Sequence, residues 1–433
     1  MKRFFLYILF FSSIYISSQT SFELDTANYE TRKKIVLNLK SDLDNLKKEF
    51  KQNYKKKVRN ELDIVYTNLY NEFISALENK EFTLDKRFTF YIDSIKTKII
   101  EENKLSNNIK ILITKENSPN AVTVGKGIII MNIGLFSYLE NGDQLAAVLC
   151  HEFGHQVLKH SEKTILHDVQ PKTIREKKKV ALKLLRKKYN VHTELQNLLK
   201  ETLYKDGKKL RKLEISADSI GYILYKKAKF KEHEYLRALE VLHEFETSPE
   251  ITINKNKYKE IFNLPNQPFK DNWIKVDDEN EYNYLNKEKF NYDSIKTHPE
   301  LQERIQLIRN IFPGLESTSQ YNKPTSNFTF LKKLSINQIV PSLYNSELYG
   351  LSAYGTFLKL CNDSNNSIHK KWLGKNFLKL YEAKKKYRFN RHVDRLEPNN
   401  QDKSYLFFLN FLWNLKLEEF KHISDYYLSK QEE

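Results

Sequence analysis

The segment that most limits how this chain can fold is Leu145–Leu158, which reads LAAVLCHEFGHQVL. Its first six residues are all apolar and the segment is long enough for a helix of four turns, which predicts a helix buried in the protein. Asn141 precedes it as a helix cap, with Gln144 three residues further in the capping-box position. The buried helix therefore has a defined start, and it carries the polar sequence HEFGH at residues 151–155.

The spacing of HEFGH is typical of a metal site. His151 and His155 are four residues apart, so on a helix both imidazoles lie on one face and can reach one ion. Glu152 lies ~100° around the helix from His151, where its carboxylate can accept a proton from water on the metal. The pattern indicates zinc-dependent hydrolysis, and the alternative is a pair of core histidines on a buried helix.

A catalytic zinc site needs a third protein ligand and one open position. Glu214 in the segment LEISADSIG is the candidate ligand, and Asp218 follows one turn later on the same helix face. The small residues Ala217 and Gly221 would let this helix pack closely against the first one. A carboxylate at Asp218 could bind the second ring nitrogen of a ligand histidine and fix its tautomer. Two acids at this spacing are also typical of an exposed helix face.

These motifs together resemble a known family. AAVLCHEFGHQVLKHS, followed downstream by Glu-x-x-Ala-Asp, resembles the gluzincin metallopeptidases that include the CaaX prenyl proteases, HtpX-type heat-shock proteases and BepA-type periplasmic proteases. The segments SPNAVTVGKGIIIMNIGLF and THPELQERI are similar to two further elements of that family. The resemblance covers about residues 109–311, in the family's order, although the transmembrane helices of its membrane branches are not found here.

The resemblance implies that His151, His155 and Glu214 bind one zinc ion per chain and that Glu152 is the general base. It implies that Asp218 is a helper acid or the residue that orients a ligand histidine. The family's fold also implies that an extended substrate pairs with an edge strand around residues 128–131 and presents a peptide carbonyl to zinc.

Two further histidines match the family. The resemblance implies that His298 lies near the site, at the open zinc position or beside the oxyanion, and its alternative role is to cap the helix that starts at Pro299. His160 matches as well, but its position five residues after His155 turns it off the ligand face. We therefore assign no metal role to His160.

The predicted fold class is α+β and mostly helical, with a zincin-type metalloprotease domain built from a small β-sheet and the HExxH helix. Helical regions flank it on both sides. We divide the chain into a signal peptide at 1–18, amphipathic helices at 19–104, the zinc metallopeptidase domain at 105–315 and a helical domain at 316–433. Helix pairs like those of tetratricopeptide repeats are one option for the last domain.

Local patterns support this division. Apolar residues recur every three or four positions from Val36 to Leu77, which predicts one long amphipathic helix or a helical hairpin, and a second helical stretch follows at Leu84–Glu102. Alternating isoleucines in NIKILIT and the β-branched run in AVTVGKGIIIMN predict strands. Between residues 246 and 297 the weak periodicity predicts a long irregular excursion.

The first twenty residues, MKRFFLYILFFSSIYISSQT, indicate a secretory signal peptide cleaved after Ser18. An uncleaved anchor is the alternative, although the apolar run is shorter than a membrane span requires. We expect a soluble protein in the periplasm or outside the cell. Only two cysteines are present, Cys150 and Cys361, which are too few for a disulfide framework.

The chain carries a formal net charge of +17, with basic runs at residues 47–59, 175–188 and 205–212. Solvated helix faces and peripheral contact with an anionic membrane surface both fit these runs. They lack the interleaved aromatics or glycines of a nucleic-acid module, so we expect no nucleic-acid partner. The expected partners are protein or peptide substrates, and a protein that binds the C-terminal helices.

The resulting prediction is a secreted or periplasmic zinc endopeptidase that hydrolyses proteins and serves envelope protein quality control. The alternative from another class is a non-hydrolytic chaperone or assembly factor that retains the zinc site. A third hypothesis is an adaptor protein at the membrane surface that does not bind stoichiometric zinc.

Overall fold

The structure is a computed structural model that describes residues 28–171, 173, 211–247, 253–275, 301–315, 322–397 and 401–429. The described part is mostly helical with one small sheet, which confirms the predicted fold class. The strands are β1 (Phe82–Thr83), β2 (Lys110–Thr114), β3 (Ala121–Gly125) and β4 (Ile128–Asn132). The first helices are α1 (Tyr29–Asn53), α2 (Lys56–Glu78), α3 (Lys86–Asn103), α4 (Gly134–Tyr138), α5 (Gly142–Leu158) and α6 (His160–Asp168).

The second half of the described chain is helical. Residues 211–227 are helical and are named α7. The helices that follow are α8 (Glu232–Glu246), α9 (Lys255–Phe262), α10 (Leu301–Ile311), α11 (Ser326–Asn345), α12 (Tyr349–Asn362), α13 (Ser367–Lys385), α14 (Lys403–Asn414) and α15 (Leu417–Ser429). Short 3₁₀ helices lie at Asp271–Ile274 and Phe389–Arg391. No helix of the described part is both long and apolar enough to cross a membrane.

The N-terminal amphipathic pattern forms a helical hairpin rather than one long helix. Residues between Asn53 and Lys56 leave the helical conformation, with Tyr54 extended, so α2 returns along α1. The apolar faces of the two helices share one core, in which the rings of Phe50 and Tyr66 are 5.2 Å apart between centroids. That core also includes Leu112 of β2 and Ile128 of β4, so the helical hairpin of α1 and α2 packs against the sheet.

The four strands are ordered β1-β2-β4-β3. β2 and β4 are parallel, whereas β3 and β4 form an antiparallel hairpin. The hairpin turns through Lys126 and Gly127, both with positive φ, and a Cβ at Gly127 would lie 2.6 Å from the carbonyl oxygen of Asn108. The expectation of an edge strand at residues 128–131 is therefore wrong. β4 is an interior strand, because the turn folds β3 back outside it, and β3 is the edge strand on that side of the sheet, with β1 at the other edge.

The main core lies between the sheet and the helices α3, α5, α8, α10 and α11. Members of this core include Ile129 of β4, Phe153 of α5, Leu236 of α8 and Phe328 of α11, all fully buried. The buried helix predicted from LAAVLCHEFGHQVL is α5, and most of its residues between Gln144 and Gly154 are inaccessible. This packing holds the HEFGH residues in the interior.

A third core joins the C-terminal helices α12 to α15 with residues 253–275. The irregular excursion expected over residues 246–297 is therefore wrong for the described residues 253–275, which form α9 and a 3₁₀ helix. Tyr258, Phe262 and Trp273 are fully buried against aromatic rings such as those of Phe357 and Phe411. Burial of these large rings stabilises the regular structure of residues 253–275, which the weak periodicity of the sequence does not predict.

Candidate active site

The position of α5 is set at its first turn. The side chain of Asn141 accepts a hydrogen bond from the main-chain N–H of Gln144 at 3.0 Å, as the sequence predicts. The side chain of Gln144 accepts from the N–H of Glu140 at 2.8 Å, one residue before the position of a standard capping box. At its other end α5 stops at Leu158, because Lys159 takes a left-handed conformation with φ 53°.

Small residues bring α7 against α5. A Cβ at Gly154 would lie 2.5 Å from the carbonyl oxygen of Ala217, and one at Gly221 would lie 2.9 Å from Cα of His151. Both distances are too short for any side chain, so the helices pack backbone to backbone. This contact is what carries Glu214, at the start of the described part of α7, to the two histidines of α5.

Three potential metal ligands converge there. Nε2 of His151 lies 3.3 Å from Oε2 of Glu214, and Nε2 of His155 lies 3.4 Å from Oε1 of the same carboxylate. The two Nε2 atoms are 3.1 Å apart, and one donor atom from each of the three residues lies within 4.8 Å of the others. Two imidazole nitrogens and one carboxylate oxygen are a donor set that zinc favours at catalytic sites, so these residues fit that ion.

Asp218 supports the first histidine. Its Oδ1 lies 2.7 Å from Nδ1 of His151, the ring nitrogen that faces away from the cluster. Burial disfavours the imidazolium, but the adjacent carboxylate of Asp218 raises the pKa of His151 to about 10. Burial also opposes ionisation of Asp218, yet the charges of Arg304 and His151 lower the pKa of that carboxyl to about 2. Asp218 is therefore an anion that orients His151.

Glu152 lies beside the cluster, 5% exposed, and its side chain is held by the sheet. Oγ1 of Thr123, on β3, lies 2.8 Å from Oε2 of Glu152 and 2.8 Å from its main-chain oxygen. Glu152 and His151 both line a cavity of about 360 Å³. The carboxylate of Glu152 thus lies with His151 at the wall of the space that a substrate could enter.

The cavity lies between α5, α8 and the start of β3. Its wall is mainly apolar, and includes Leu135, Val148, Leu239, Leu242 and Phe245. Ser118 and Asn120 add polar groups on the side of β3, and Arg304 lines the cavity as well. A volume of this size suits the side chain and neighbouring backbone of a bound peptide.

The model of one known family, Peptidase family M48, matches residues 89–312, which is more than half of the chain. The chain belongs to peptidase family M48. This confirms the resemblance to the gluzincin metallopeptidases, and no curated protein matches the sequence. M48 peptidases are zinc-dependent metallopeptidases, and the three converging side chains could bind a metal in this member.

The M48 match includes a residue whose role the sequence did not indicate. Arg304 lies in THPELQERI, on α10, and its guanidinium contacts Asp218 at 2.6 Å and 2.8 Å and Nδ1 of His151 at 3.2 Å. Only the tertiary structure shows that Arg304 is buried against Asp218. Its place in a segment similar to a family element was the one sequence signal that could have indicated a role. His298 of the same motif lies outside the described residues.

In this M48 peptidase, the sequence predicts no role for Thr123, and it predicts a different position for His160 from the one observed. Thr123 is an ordinary strand residue by pattern, and only the fold brings it to Glu152. His160 was expected to turn away from the ligand histidines, yet its Nδ1 lies 3.0 Å from Nδ1 of His155. His160 is 6% exposed, and burial together with the nearby His155 lowers its pKa to about 4. His160 is not among the three converging ligands.

Proposed function

We propose that this M48 metallopeptidase is a zinc-dependent endopeptidase that hydrolyses internal bonds of protein substrates. The observation that carries the proposal is the convergence of His151, His155 and Glu214 beside the carboxylate of Glu152, at the wall of one cavity. Three protein ligands leave a fourth position of a tetrahedral zinc for the reaction. A bound zinc ion supplies Lewis-acid polarisation to a peptide carbonyl and to water.

The chain's own residues would then handle the proton. Glu152 accepts a proton from the attacking water and delivers it to the leaving amine. The hydroxyl of Thr123, 2.8 Å from Oε2, limits the positions that this carboxylate can take. Asp218 and Arg304 hold the ring of His151 so that Nε2 points toward Glu214. Each group thus has one role in the proposed reaction.

The proposed substrate path follows β3, the edge strand whose start lines the cavity. Asn120 and Ala121, at its N-terminal end, line the cavity next to Glu152, and the side chain of Val122 is 47% exposed. An extended peptide that adds to this edge would place its scissile bond near the ligands and one side chain in the apolar cavity. The main-chain oxygen of Thr123 already accepts a hydrogen bond from Ser161, so pairing should involve the strand's N-terminal half.

The test is cleavage of an unfolded protein by the full mature chain, with zinc and with a chelator. Glu152→Gln should retain zinc and lose at least a thousandfold in turnover, because the amide cannot accept the proton. Glu240→Gln, a half-buried change on α8 away from the cavity, is the matched control and should cleave at the parent rate. Equal rates for the parent and Glu152→Gln would refute the role of Glu152.

The same assay separates the rival function. A zinc-loaded parent that prevents aggregation of the unfolded protein without cutting it would support a non-hydrolytic chaperone or assembly factor. Cleavage that stops on chelation and returns with zinc would exclude the hypothesis that the protein acts only as a chaperone or assembly factor. Both outcomes are read from one gel and one light-scattering trace.

The proposed location is the periplasm or the medium, with quality control of envelope proteins as the proposed role. Residues 1–18, which lie outside the described residues, supply the argument through their signal-peptide pattern. Sequencing of the mature N-terminus should find Gln19 as the first residue. Contact with anionic membranes through the basic runs, and a protein partner on the C-terminal helices, remain predictions that lipid sedimentation and cross-linking would test.

A further inference from the structure

His160 belongs to α6, yet it contacts a candidate metal ligand of α5. On a continuous helix, five residues would place His160 about 140° around the axis from His155. The helix is not continuous, because Lys159 adopts φ 53° and ψ 43° between α5 and α6. This left-handed residue redirects the chain, so Nδ1 of His160 comes to lie 3.0 Å from Nδ1 of His155.

The next contact determines which way the hydrogen bonds run. Oγ of Ser216, on α7, lies 2.9 Å from the main-chain oxygen of Leu213 and donates its only proton there. Nε2 of His160 lies 3.3 Å from the same Oγ. The contact with the Leu213 oxygen is the shorter of the two, so we assign the one hydroxyl proton to it. Ser216 then accepts at the longer contact, and Nε2 of His160 carries the donated proton.

The rest follows from the chemistry of neutral imidazole, which has one N–H and one acceptor nitrogen. With its proton on Nε2, His160 presents the lone pair of Nδ1 to His155. The Nδ1 of His155 must then be the N–H that donates across 3.0 Å. The lone pair of His155 is left on Nε2, the atom that faces Glu214 and Nε2 of His151.

We infer that His160 is a positioning residue that holds His155 in the tautomer able to bind metal, through the chain Ser216–His160–His155. The inference rests on the proposed zinc site. The two ligand histidines are thus held by different means: His151 by the charged pair of Asp218 and Arg304, and His155 by a neutral imidazole. In the opposite tautomer, the N–H of His155 would point into the ligand cluster and block binding.

The test compares His160→Asn with His160→Leu in the full mature chain, by competition for zinc with a chromogenic chelator. The amide oxygen of asparagine occupies about the position of Nδ1 and accepts a hydrogen bond, whereas leucine fills the space but accepts none. His160→Leu should weaken zinc binding by about tenfold or more, and His160→Asn by less than about threefold. A space-filling role predicts the opposite order, with leucine the better replacement.

His167 provides the matched control. It lies on the same helix α6 with its side chain 60% exposed, and it contacts Asp168. His167→Leu should bind zinc as the parent does. A second pair, Ser216→Thr and Ser216→Ala, covers the case in which His160→Leu does not fold: threonine keeps the hydroxyl acceptor, so it should bind zinc more tightly than alanine.

The outcomes separate this inference from the proposed function. Zinc binding by His160→Leu that equals or exceeds that of His160→Asn overturns the inference, as does equal binding by the two Ser216 variants. A parent that binds no zinc overturns both the zinc site and the inference. A parent that binds zinc but cleaves no protein overturns only the proposed function, because affinity is measured without any substrate.

Discussion

Arg304 donates two hydrogen bonds to Asp218, from Nε to Oδ2 at 2.8 Å and from Nη2 to Oδ1 at 2.6 Å. The two side chains lie on different helices, α10 and α7, and both are almost inaccessible to solvent. A paired, buried carboxylate of this kind keeps its charge and its geometry. The pair ties α10 to His151, the candidate metal ligand that Asp218 contacts.

Loss of this arginine should be costly to the fold. Arg304→Met leaves the carboxylate of Asp218 buried beside His151 without its main partner, which should lower the free energy of unfolding by about 3–5 kcal/mol. Arg309 lies on α10 like Arg304, and Arg309→Met removes its solvent-accessible ion pair with Glu240 of α8, which should cost about 0–1 kcal/mol. Urea unfolding of both metal-free variants measures the difference, and similar losses would contradict the prediction.

Thr123 should act on turnover rather than on metal binding. Thr123→Val keeps the shape of this strand residue but removes the hydroxyl 2.8 Å from Oε2 of Glu152. Because the hydroxyl contacts a charged group, we expect kcat to fall about tenfold, at unchanged zinc affinity. Thr329→Val, an exposed change on α11, serves as the control. A parallel fall in zinc affinity would show that Thr123 supports the ligands instead.

Gly154 should be required for the approach of the two helices. A Cβ there would lie 2.5 Å from the carbonyl oxygen of Ala217, so Gly154→Ala must push α7, and with it Glu214, away from α5. We expect weaker zinc binding by about tenfold or more and a less stable protein. At Gly355, on α12, a Cβ meets its nearest neighbour at an ordinary 3.7 Å. Gly355→Ala should therefore leave zinc binding unchanged and stabilise the helix by up to about 1 kcal/mol.

Removal of zinc should destabilise the parent protein. An ion that binds only the folded state at a free concentration one hundred times its dissociation constant stabilises it by ~2.7 kcal/mol. Chelation should therefore lower the melting temperature by several degrees. In Glu214→Gln, where one of the three converging ligands is changed, the shift should be much smaller. Calorimetric scans of both proteins, with zinc and with chelator, make the comparison, and equal shifts would exclude Glu214 as a ligand.

The apolar cavity should select the substrate. Ala238 lies in its wall on α8, and Ala238→Leu would fill part of the 360 Å³. We expect kcat/KM to fall about tenfold for peptides with a large apolar residue beside the cleaved bond, and little for peptides with alanine there. Mass-spectrometric profiling of the cleavage sites measures this, with zinc affinity as a check on the fold. An unchanged profile would mean that the substrate does not use this cavity.

The sequence by itself determined the features that depend on neighbours along the chain. Helical spacing placed His151 and His155 on one face of α5, with Asn141 as its cap, and the structure has both. Small residues at Ala217 and Gly221 indicated the close helix contact. These features are local, or rest on side-chain size alone, so periodicity and composition are enough to predict them.

Only the tertiary structure decided that β3 rather than β4 lies at an edge of the sheet, and which side chains surround the candidate ligands. Thr123 meets Glu152 across 29 residues of sequence, and Arg304 meets Asp218 across 86. His160 reaches His155 because one left-handed residue, Lys159, ends α5 and no periodic pattern reports that break. Such contacts depend on how distant helices and strands pack, which is a property of the whole core rather than of any segment.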